Sequence, residues 1–291
     1  MEGQAELFPS GEFETGAPAR YKPLSARLWT HNKAQLIARY LREFVFVTKH
    51  GTCIDLFAGR QSEKVEHSWS VQQVLAQQPN AFKLRHYRLF EIDKLKVAAL
   101  EALRANYPDL DITVECGDSN DRVRAVLPIG SIAEKEATFC LIDQRTTECK
   151  WSTVEHLAKL KPGGYKPELF YFLAQGWLNR ALLTRTRDDS IQKTTDWWGS
   201  EDWRTLVDLS PLDRAVKFAD RFQEQLGYRY ATPWPIYESK GGSQIMFHMI
   251  HATDHERAPS LMRRAYEWSV APVVDPDDEK QLEMELGQLK Y

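Results

Sequence analysis

The feature that most constrains the fold is a regular alternation of strand-like and helix-like segments. Runs rich in apolar and β-branched residues predict five strands, at 52–57, 87–92, 112–116, 137–143 and 168–173. The segments between them carry apolar residues at helical spacing, most clearly in KLKVAALEALRAN (94–106). Some of the strands are apolar throughout, which is typical of a parallel sheet covered by helices on both faces. We therefore predict an α/β fold.

The alternation ends after residue 173. Residues 186–226 combine three tryptophans in a polar context with a helix from Pro211, and they indicate a helical, Trp-rich insertion. Two strand-like runs, 228–238 and 244–251, are joined by SKGGS, which predicts a hairpin. Five alternating units followed by such a hairpin are the layout of the class I S-adenosylmethionine (SAM)-dependent methyltransferase sheet. The prediction is thus a Rossmann-like sheet, mostly parallel with a C-terminal antiparallel hairpin.

Three regions are predicted along the chain. Residues 1–29 form a flexible N-terminal arm, which has neither the basic start nor the apolar stretch of a secretory signal. Residues 30–270 form the methyltransferase-like α/β domain. Residues 271–291 form an acidic tail with six Asp and Glu residues, which either docks as an amphipathic helix or, as we expect, stays solvated.

Composition excludes several classes of protein. The 291 residues carry a net charge of −3, with 43% hydrophobic and 27% charged residues, as in an ordinary globular protein. No apolar run approaches the roughly 18 residues of a membrane-spanning helix, so we expect no membrane association. The four cysteines show no CxxC pairing, and three lie in apolar strand-like runs where buried thiols are common. This predicts a reducing cytoplasm. The charge argues against a DNA-coating protein but leaves a local basic face open.

Polar residues follow the first two predicted strands, where ligands bind in open α/β sheets. In DLFAG (55–59), Asp55, Phe57 and Gly59 are the predicted cofactor-binding positions. Asp55 would accept from amino or hydroxyl groups, and Gly59 would let the backbone approach a ligand. Glu91 ends the second strand, where such folds place an acid for the ribose hydroxyls. Asp93 is assigned to the N-cap of the next helix.

The third strand is followed by GDSN (117–120). Here Asp118 and Ser119 would meet the adenine ring, although the same residues also suit a turn and a helix cap. The first segment likewise has a plain alternative, an ordinary loop after a strand. Because polar residues end three successive strands, we predict an adenosyl-binding site.

The fourth strand ends at Asp143-Gln144-Arg145, the predicted catalytic residues. In amino-methylating enzymes this position often holds Asp or Asn followed by two prolines and an aromatic residue, which bind the target amine and its base. The prolines are absent here. Asp143 would orient or deprotonate the acceptor, Gln144 would read an amide or base edge, and Arg145 would hold a phosphate or carboxylate.

Three other features have simpler explanations. Cys149, beside Lys150, could be an activated thiolate but is more simply a bystander. His248 and His251 have metal-like spacing, yet residues three apart on a strand point to opposite faces, so we predict no metal site. Six of the nine tryptophans fall between 151 and 234, where they form either a stacking platform for a base or the packing of a cap on the sheet.

Several strings are distinctive when taken together: DLFAG, LFEID, GDSN, CLIDQRTTECKWSTVEHLAKL, ELFYFLAQGWLNRAL and IMFHMIHATDHERAPSLMRRAY. Through them, residues 28–270 resemble the three-Cys-motif partner protein family, which is bacterial. The resemblance implies a class I methyltransferase fold that binds SAM. It also implies a partner, a radical-SAM-type protein with three clustered cysteines and an iron–sulfur cluster. Arg60-Gln61 stand where the family has Pro-Gly, and loss of that glycine restricts the loop.

Three functional hypotheses follow. The first is a SAM-dependent methyltransferase acting on nucleic acid or a nucleotide-like substrate. The second is a catalytically inactive partner or scaffold, favoured by the missing glycine and prolines and by the acidic arm and tail. The third and weakest is a metal-dependent nuclease, which needs the carboxylates at the strand ends to converge within about 4–5 Å of one metal. Successive strand ends should hold them farther apart.

Overall fold

The computed structural model describes residues 28–29, 32–60, 69–77, 83–184, 188–238 and 244–270. Its strands are β1 (Leu28–Trp29), β2 (His50–Asp55), β3 (Lys83–Glu91), β4 (Asp111–Cys116), β5 (Thr138–Ile142), β6 (Glu168–Ala174), β7 (Tyr230–Tyr237) and β8 (Ile245–Thr253). Its helices are α1 (Lys33–Thr48), α2 (Ser70–Ala76), α3 (Lys94–Arg104), α4 (Ser119–Val126), α5 (Trp151–Ala158), α6 (Gln175–Thr184), α7 (Asp188–Trp198), the 3-10 helix Glu201–Leu206, α8 (Pro211–Glu224) and α9 (Ala258–Val270). The predicted arm up to residue 27, the turn 239–243 and the tail 271–291 lie outside the described residues.

The described strands form one sheet in the order β1-β7-β8-β6-β5-β2-β3-β4. The strands from β2 to β6 pair in parallel with one another, in the order β6-β5-β2-β3-β4. Strand β8 is antiparallel to both β6 and β7. The predicted fold class, an α/β sheet that is mostly parallel with C-terminal antiparallel strands, is therefore confirmed. Parallel strands end at the same edge of the sheet, so the loops that follow β2, β3, β4 and β5 come together there.

Each face of the sheet carries its own core. Helix α1 covers one face with the apolar stripe predicted from its sequence, including Leu36, Tyr40 and Phe44, all of which are buried. It starts after Asn32, whose side-chain amide donates to the Ser269 carbonyl at 2.9 Å. This bond holds the start of α1 next to the end of α9. The start of α1 lies near the edge of the sheet where β2 ends.

The Trp-rich insertion packs on the opposite face. Trp197, Trp198 and Trp203 are all buried there against α5, α8 and the sheet. The Arg221 guanidinium lies between two indole rings, 3.9 Å from the centre of Trp151 and 4.0 Å from that of Trp198. The sequence left two alternatives for the tryptophans, a stacking platform for a base and the packing of a cap on the sheet. These three tryptophans pack a cap on the sheet.

Two details differ from the sequence interpretation. Residues 28 and 29, assigned to the N-terminal arm, form β1, which pairs in parallel with β7. Cys116 lies in a strand-like run but is exposed, because it is the last residue of the edge strand β4. Among the described helices, none is both long and apolar enough to cross a membrane.

Candidate functional site

Three carboxyl side chains share one face of the sheet because of its register. Asp55, the last residue of β2, lies opposite Leu89 of β3 and Leu141 of β5. Glu91 and Asp143 each follow one of those partners by two residues. Side chains of a strand alternate between faces, so residues two apart share a face. Asp55, Glu91 and Asp143 therefore lie together at the carboxyl edge, on the side covered by α1.

Asp55 is almost completely enclosed, with 3% of its surface exposed. Burial, together with the nearby Asp143 and Glu91 carboxylates, raises the pKa of its carboxyl group to about 8. The Phe57 amide, which donates to Asp55 Oδ1 at 2.9 Å, and the Lys33 ammonium act in the opposite direction. At neutral pH the Asp55 side chain is therefore mostly uncharged. A cation that binds beside such a carboxyl group lowers its pKa, so that the group loses its proton and becomes negatively charged.

Gly59 and Glu91 form the second part of the site. A Cβ atom on Gly59 would lie 1.9 Å from Glu91 Oε2, so no other residue fits without moving this carboxylate. The other oxygen, Oε1, accepts from the Asp93 amide at 2.8 Å. Asp93 itself caps α3 by accepting from the Leu95 amide at 2.8 Å, as predicted. The glycine thus makes room for the ends of the Glu91 and Lys96 side chains, a constraint that its position in the sequence did not reveal.

The third strand end supplies a turn and a cap. Gly117 has φ +139°, in the region that favours glycine, and its amide donates to the Glu91 carbonyl at 3.0 Å. Asp118 is exposed and caps α4 by accepting from the Asn120 amide at 2.8 Å, whereas Ser119 is buried. The contacts predicted from Asp118 and Ser119 to adenine stay predictions.

Sequence reasoning missed the apolar surface beside Glu91. Ile92 directly follows Glu91 and is 67% exposed, and Leu95, in the first turn of α3, is 83% exposed. Exposed large apolar side chains next to a carboxylate suit a ligand with a flat ring joined to a sugar. The signal was present as an isoleucine between two acids in LFEID.

The predicted catalytic residues do not point the same way. Gln144 is buried, and its Oε1 accepts from the Cys149 amide at 3.0 Å. Because side chains alternate, Gln144 faces the core under α5 while Asp143 faces α1. Arg145 is exposed. In this arrangement Asp143 shares the site with Asp55 and Glu91, Gln144 holds the loop that follows β5, and Arg145 lies on the surface. Their predicted chemical roles stay predictions.

Asn120 joins the loops that follow β4 and β5, and the sequence analysis did not single it out. Its side-chain oxygen accepts from the Lys150 amide and the Thr153 hydroxyl, both at 2.8 Å. Its amide nitrogen donates to the Glu148 carbonyl at 2.9 Å. This buried side chain therefore fixes the end of the Asp143 loop against α4.

Lys33 is the other residue that the sequence analysis missed. Its Nζ lies 2.7 Å from Asp143 Oδ1, and both side chains are buried. The same Nζ lies 4.9 Å from the ring centres of Phe172 and Phe247. The only signal was a lysine at the start of a helix that is otherwise mostly apolar on its inner face. Nothing in its spacing connected it to residue 143.

The histidines and cysteines singled out earlier lie elsewhere. His248 and His251 occupy opposite faces of β8, as predicted: His248 contacts Gln175, whereas His251 contacts Tyr40 and Glu168. Cys149 is buried, and burial raises the pKa of its thiol, which does not favour a thiolate. Among the described residues, no three or more His, Cys, Asp or Glu side chains form a group suited to a metal ion. The nuclease hypothesis therefore has no described ligand set.

A separate groove of about 590 Å³ lies between α8 and the 3-10 helix. It is lined mainly by charged residues, among them Asp202, Asp220, Arg221 and Glu224. It belongs to the face covered by the Trp-rich insertion, whereas Asp55, Glu91 and Asp143 lie on the face covered by α1. None of the predicted site residues lines it.

No protein-family model and no curated protein matches the sequence. Similar solved structures include M. jannaschii TYW2 in complex with AdoMet, at 12% identity and a TM-score of 0.41, covering 76% of this chain and 75% of that one. Protein LPL1258 from Legionella pneumophila has 10% identity and a TM-score of 0.45, with 86% and 95% covered. The plantazolicin methyltransferase BamL, crystallised with SAH, has 9% identity and a TM-score of 0.41, with 86% and 80% covered.

Proposed function

We propose that this protein is a SAM-dependent methyltransferase. One observation carries the proposal: Asp55, Glu91 and Asp143 lie on one face and at one edge of a mostly parallel sheet, at the ends of three adjacent strands. In open α/β sheets this edge is where ligands bind. The glycine loop held against Glu91 and the exposed Ile92 add the shape and the apolar surface that a nucleoside needs.

The charges of the site fit SAM. Asp55, Glu91 and Asp143 present three carboxyl groups at this edge of the sheet, and the enclosed Asp55 group loses its proton more readily when a cation binds beside it, so the site favours a cationic ligand. SAM carries a positive sulfonium and an amino group beside its adenosine. Glu91 would accept from the ribose hydroxyls, Asp55 would face the amino acid part, and Ile92 would pack on the adenine. Asp118 and Ser119 would lie at the far side of the ring.

The chain's own contribution to methyl transfer is alignment and proton removal. SAM supplies a reactive methyl group when it is bound. Asp143, buried beside Asp55, would orient the acceptor and take its proton. Enclosure by α1 and the β5 loop would exclude water from the reacting atoms. The exposed Arg145 would hold an anionic group of the acceptor at the rim.

We propose nucleic acid or a nucleotide-like molecule as the acceptor. Trp177 lies in α6, directly after the end of β6, and is 51% exposed. The Arg180 guanidinium lies 4.1 Å from the centre of its ring. An exposed indole beside basic side chains is suited to stack on a base. Together with Arg145, it supports a nucleotide-like substrate at the same edge of the sheet.

The proposed partner is the radical-SAM-type protein with three clustered cysteines that the sequence resemblance implies. Support comes from the strings of sequence described above, and the reducing cytoplasm remains the proposed compartment on the basis of the free cysteines. Copurification with such a protein, tagged and expressed together with this chain, tests the pairing. If the two proteins elute separately at micromolar concentrations, the partner proposal is wrong.

Calorimetry with SAM tests the cofactor proposal. We expect the wild-type protein to bind SAM and Glu91→Ala and Asp55→Asn to lose most of that affinity. Asparagine keeps an acceptor for the Phe57 amide, so Asp55→Asn should fold. Glu201→Ala is the matched control, because Glu201 is an exposed carboxylate on the 3-10 helix, on the other face. Absence of binding by folded wild-type protein, alone and with the partner, would refute the proposal.

A scaffold without catalysis is the second candidate. The enclosure of Asp55 and Asp143 favours it, since these side chains are 3% and 4% exposed and Lys33 occupies the space in front of Asp143. A scaffold would bind the partner without binding SAM, whereas the methyltransferase would bind SAM with or without it. The same calorimetric experiment therefore separates the two candidates.

A further inference from the structure

The Lys33 ammonium lies in a small site with the chemistry of an amine-binding pocket. A carboxylate oxygen, Asp143 Oδ1, lies 2.7 Å from Nζ. The rings of Phe172 and Phe247 each lie 4.9 Å from the same nitrogen. One carboxylate and two aromatic faces are the groups that hold an ammonium ion and distinguish it from a neutral group of the same size.

This site borders the proposed cofactor site. Asp143 lies on the same face of the sheet as Asp55 and one strand away from it, and Lys33 Nζ contacts Asp143 directly. Asp143 is also the residue proposed above to orient the methyl acceptor. Lys33 is 7% exposed, so its amine is shielded from solvent.

We propose that Lys33 Nζ is itself a methylation site, and that the chain modifies this lysine with its own bound SAM. The inference rests on the proposed function, because it takes SAM as the methyl donor. It goes beyond that function by naming an amine acceptor within the chain. The amine already lies where Asp143 would orient an acceptor, so no rearrangement of the fold is needed to bring the two together.

The reaction balances with groups present in the site and with SAM. The Lys33 ammonium gives one proton to the Asp143 carboxylate, its hydrogen-bond partner. The nitrogen lone pair then forms a bond to the methyl carbon. The carbon–sulfur bond breaks, and its electron pair stays on sulfur, which leaves S-adenosylhomocysteine. The methylated nitrogen carries the positive charge, and Asp143 passes its proton to water.

The pocket also suits the product. A methylated ammonium keeps its full charge but has fewer N–H donors, so its attraction to aromatic faces matters more. Phe172 and Phe247 provide two such faces. The product would therefore remain in place, and the modification would accumulate on the protein.

Lys166 provides a matched control within the same chain. Its Nζ lies 3.1 Å from Asp254 Oδ2 and 5.4 Å from the ring centre of Tyr228. Lys166 thus also has an aspartate and an aromatic ring, but it lies just before β6, at the edge of the sheet opposite the proposed site. If any lysine that is paired with an aspartate were methylated non-specifically, both Lys33 and Lys166 would be modified.

The first test is mass spectrometry of the purified full chain before and after incubation with SAM that carries a deuterated methyl group. We expect added methyl groups on the peptide with Lys33 and none on the peptide with Lys166. The modified fraction should not depend on protein concentration, because the reaction is intramolecular. Asp143→Asn should slow the modification at least tenfold, and Lys33→Arg, which should fold, removes the acceptor. Equal labelling of Lys33 and Lys166 would overturn the proposal.

The second test measures binding only. If Lys33 Nζ lies beside the methyl group, its positive charge weakens binding of the cationic SAM more than that of neutral S-adenosylhomocysteine. Lys33→Met should therefore raise the affinity for SAM relative to S-adenosylhomocysteine severalfold, and Lys166→Met should leave the ratio unchanged. An unchanged ratio in Lys33→Met would place the lysine away from the methyl group and contradict the proposal.

The two proposals fail in different ways. If wild-type protein binds SAM but Lys33 stays unmodified after prolonged incubation, the inference about Lys33 is wrong and the cofactor site stands. If folded wild-type protein binds no SAM, the proposed function itself is wrong.

Discussion

At the scale of single residues, Gly59 and Glu91 illustrate how close contact fixes a site. The Glu91 carboxylate occupies the space where any side chain at position 59 would begin. Asp55 differs, because burial raises the pKa of its carboxyl group and leaves it mostly uncharged at neutral pH. Both features restrict where the acidic side chains at the carboxyl edge can lie, and each can be tested by a single substitution.

Gly59→Ala should displace the Glu91 carboxylate, because the new Cβ would lie 1.9 Å from Oε2. We expect SAM affinity to fall at least tenfold, which is about 1.4 kcal/mol, as measured by calorimetry. Gly176→Ala is the control, since nothing lies within 4 Å of a Cβ at that helical position. It should bind SAM normally and be as stable as the wild type or more so. Normal binding by Gly59→Ala would show that Glu91 does not hold the ligand.

Asp55→Asn should stabilise the protein, and the gain should depend on pH. The pKa of Asp55 is raised to about 8 in the folded protein, against about 4 in an unfolded chain. Between these values the unfolded chain loses its proton while the folded protein keeps it, so wild-type stability falls as pH rises. The difference in melting temperature should thus be small near pH 4, grow up to about pH 8 and then stay constant.

Thermal unfolding of the two proteins at a series of pH values measures this difference. A constant difference across the range would mean that Asp55 is ionised in the folded protein, as it is in the unfolded chain. Loss of SAM binding in the more stable variant would identify Asp55 as a residue kept for function at the expense of stability.

At the scale of secondary-structure elements, the boundary between β3 and α3 separates two acids with different roles. Glu91 is held against Gly59 and faces the candidate site. Asp93 accepts from the amides of Leu95 and Lys96 and caps the helix. The local sequence decides this division, because Asp93 directly precedes α3, whose first amides need an acceptor, whereas Glu91 is the last residue of β3.

Asp93→Ala should therefore lower stability and leave binding intact. Loss of an N-cap costs about 1 kcal/mol, which corresponds to a fall of roughly 2–4 °C in melting temperature for a chain of this size. SAM affinity should stay at the wild-type level because the Asp93 amide still donates to Glu91. Glu91→Ala should show the reverse pattern. If Asp93→Ala abolishes binding without a change in stability, the two roles are exchanged.

At the scale of the whole molecule, one sheet joins two cores. Helices α1, α2 and α9 pack on one face, and α5, α7 and α8 pack on the other. Phe218 of α8 is at the centre of the second core, with its ring 5.4 Å from that of Tyr171 in β6 and 5.0 Å from that of Trp197 in α7. The insertion is thus packed on a central strand of the sheet, and we expect it to unfold together with the rest of the domain.

Phe218→Ala tests this coupling. Removal of a buried phenyl ring costs about 3–5 kcal/mol, so the melting temperature should fall by on the order of 10 °C. Tryptophan fluorescence and far-ultraviolet circular dichroism should change in one common transition, because the tryptophans and the sheet belong to one unit. Two separate transitions would show that the insertion folds independently.

Much of the fold follows from the sequence, because local patterns specify it. Alternating strands and helices, apolar stripes, caps such as Asp93 and the joined strands β7 and β8 are all properties of short segments. The positions of Asp55, Glu91 and Asp143 at the ends of strands follow in the same way, since a parallel sheet brings those ends to one edge. Local patterns likewise indicated that His248 and His251 would diverge.

Only the tertiary structure decided which side chains of this edge meet. The pairing of Lys33 with Asp143 joins residues that are distant in the chain, and no periodicity links them. Which of Asp143 and Gln144 faces α1 depends on how β5 is placed in the sheet, and the lack of room for a side chain at Gly59 depends on where Glu91 lies. Sequence patterns report the neighbours within a segment. Contacts between segments depend on how the segments pack in three dimensions, which is why the position of the Lys33 amine beside Asp143 is evident only in the folded chain.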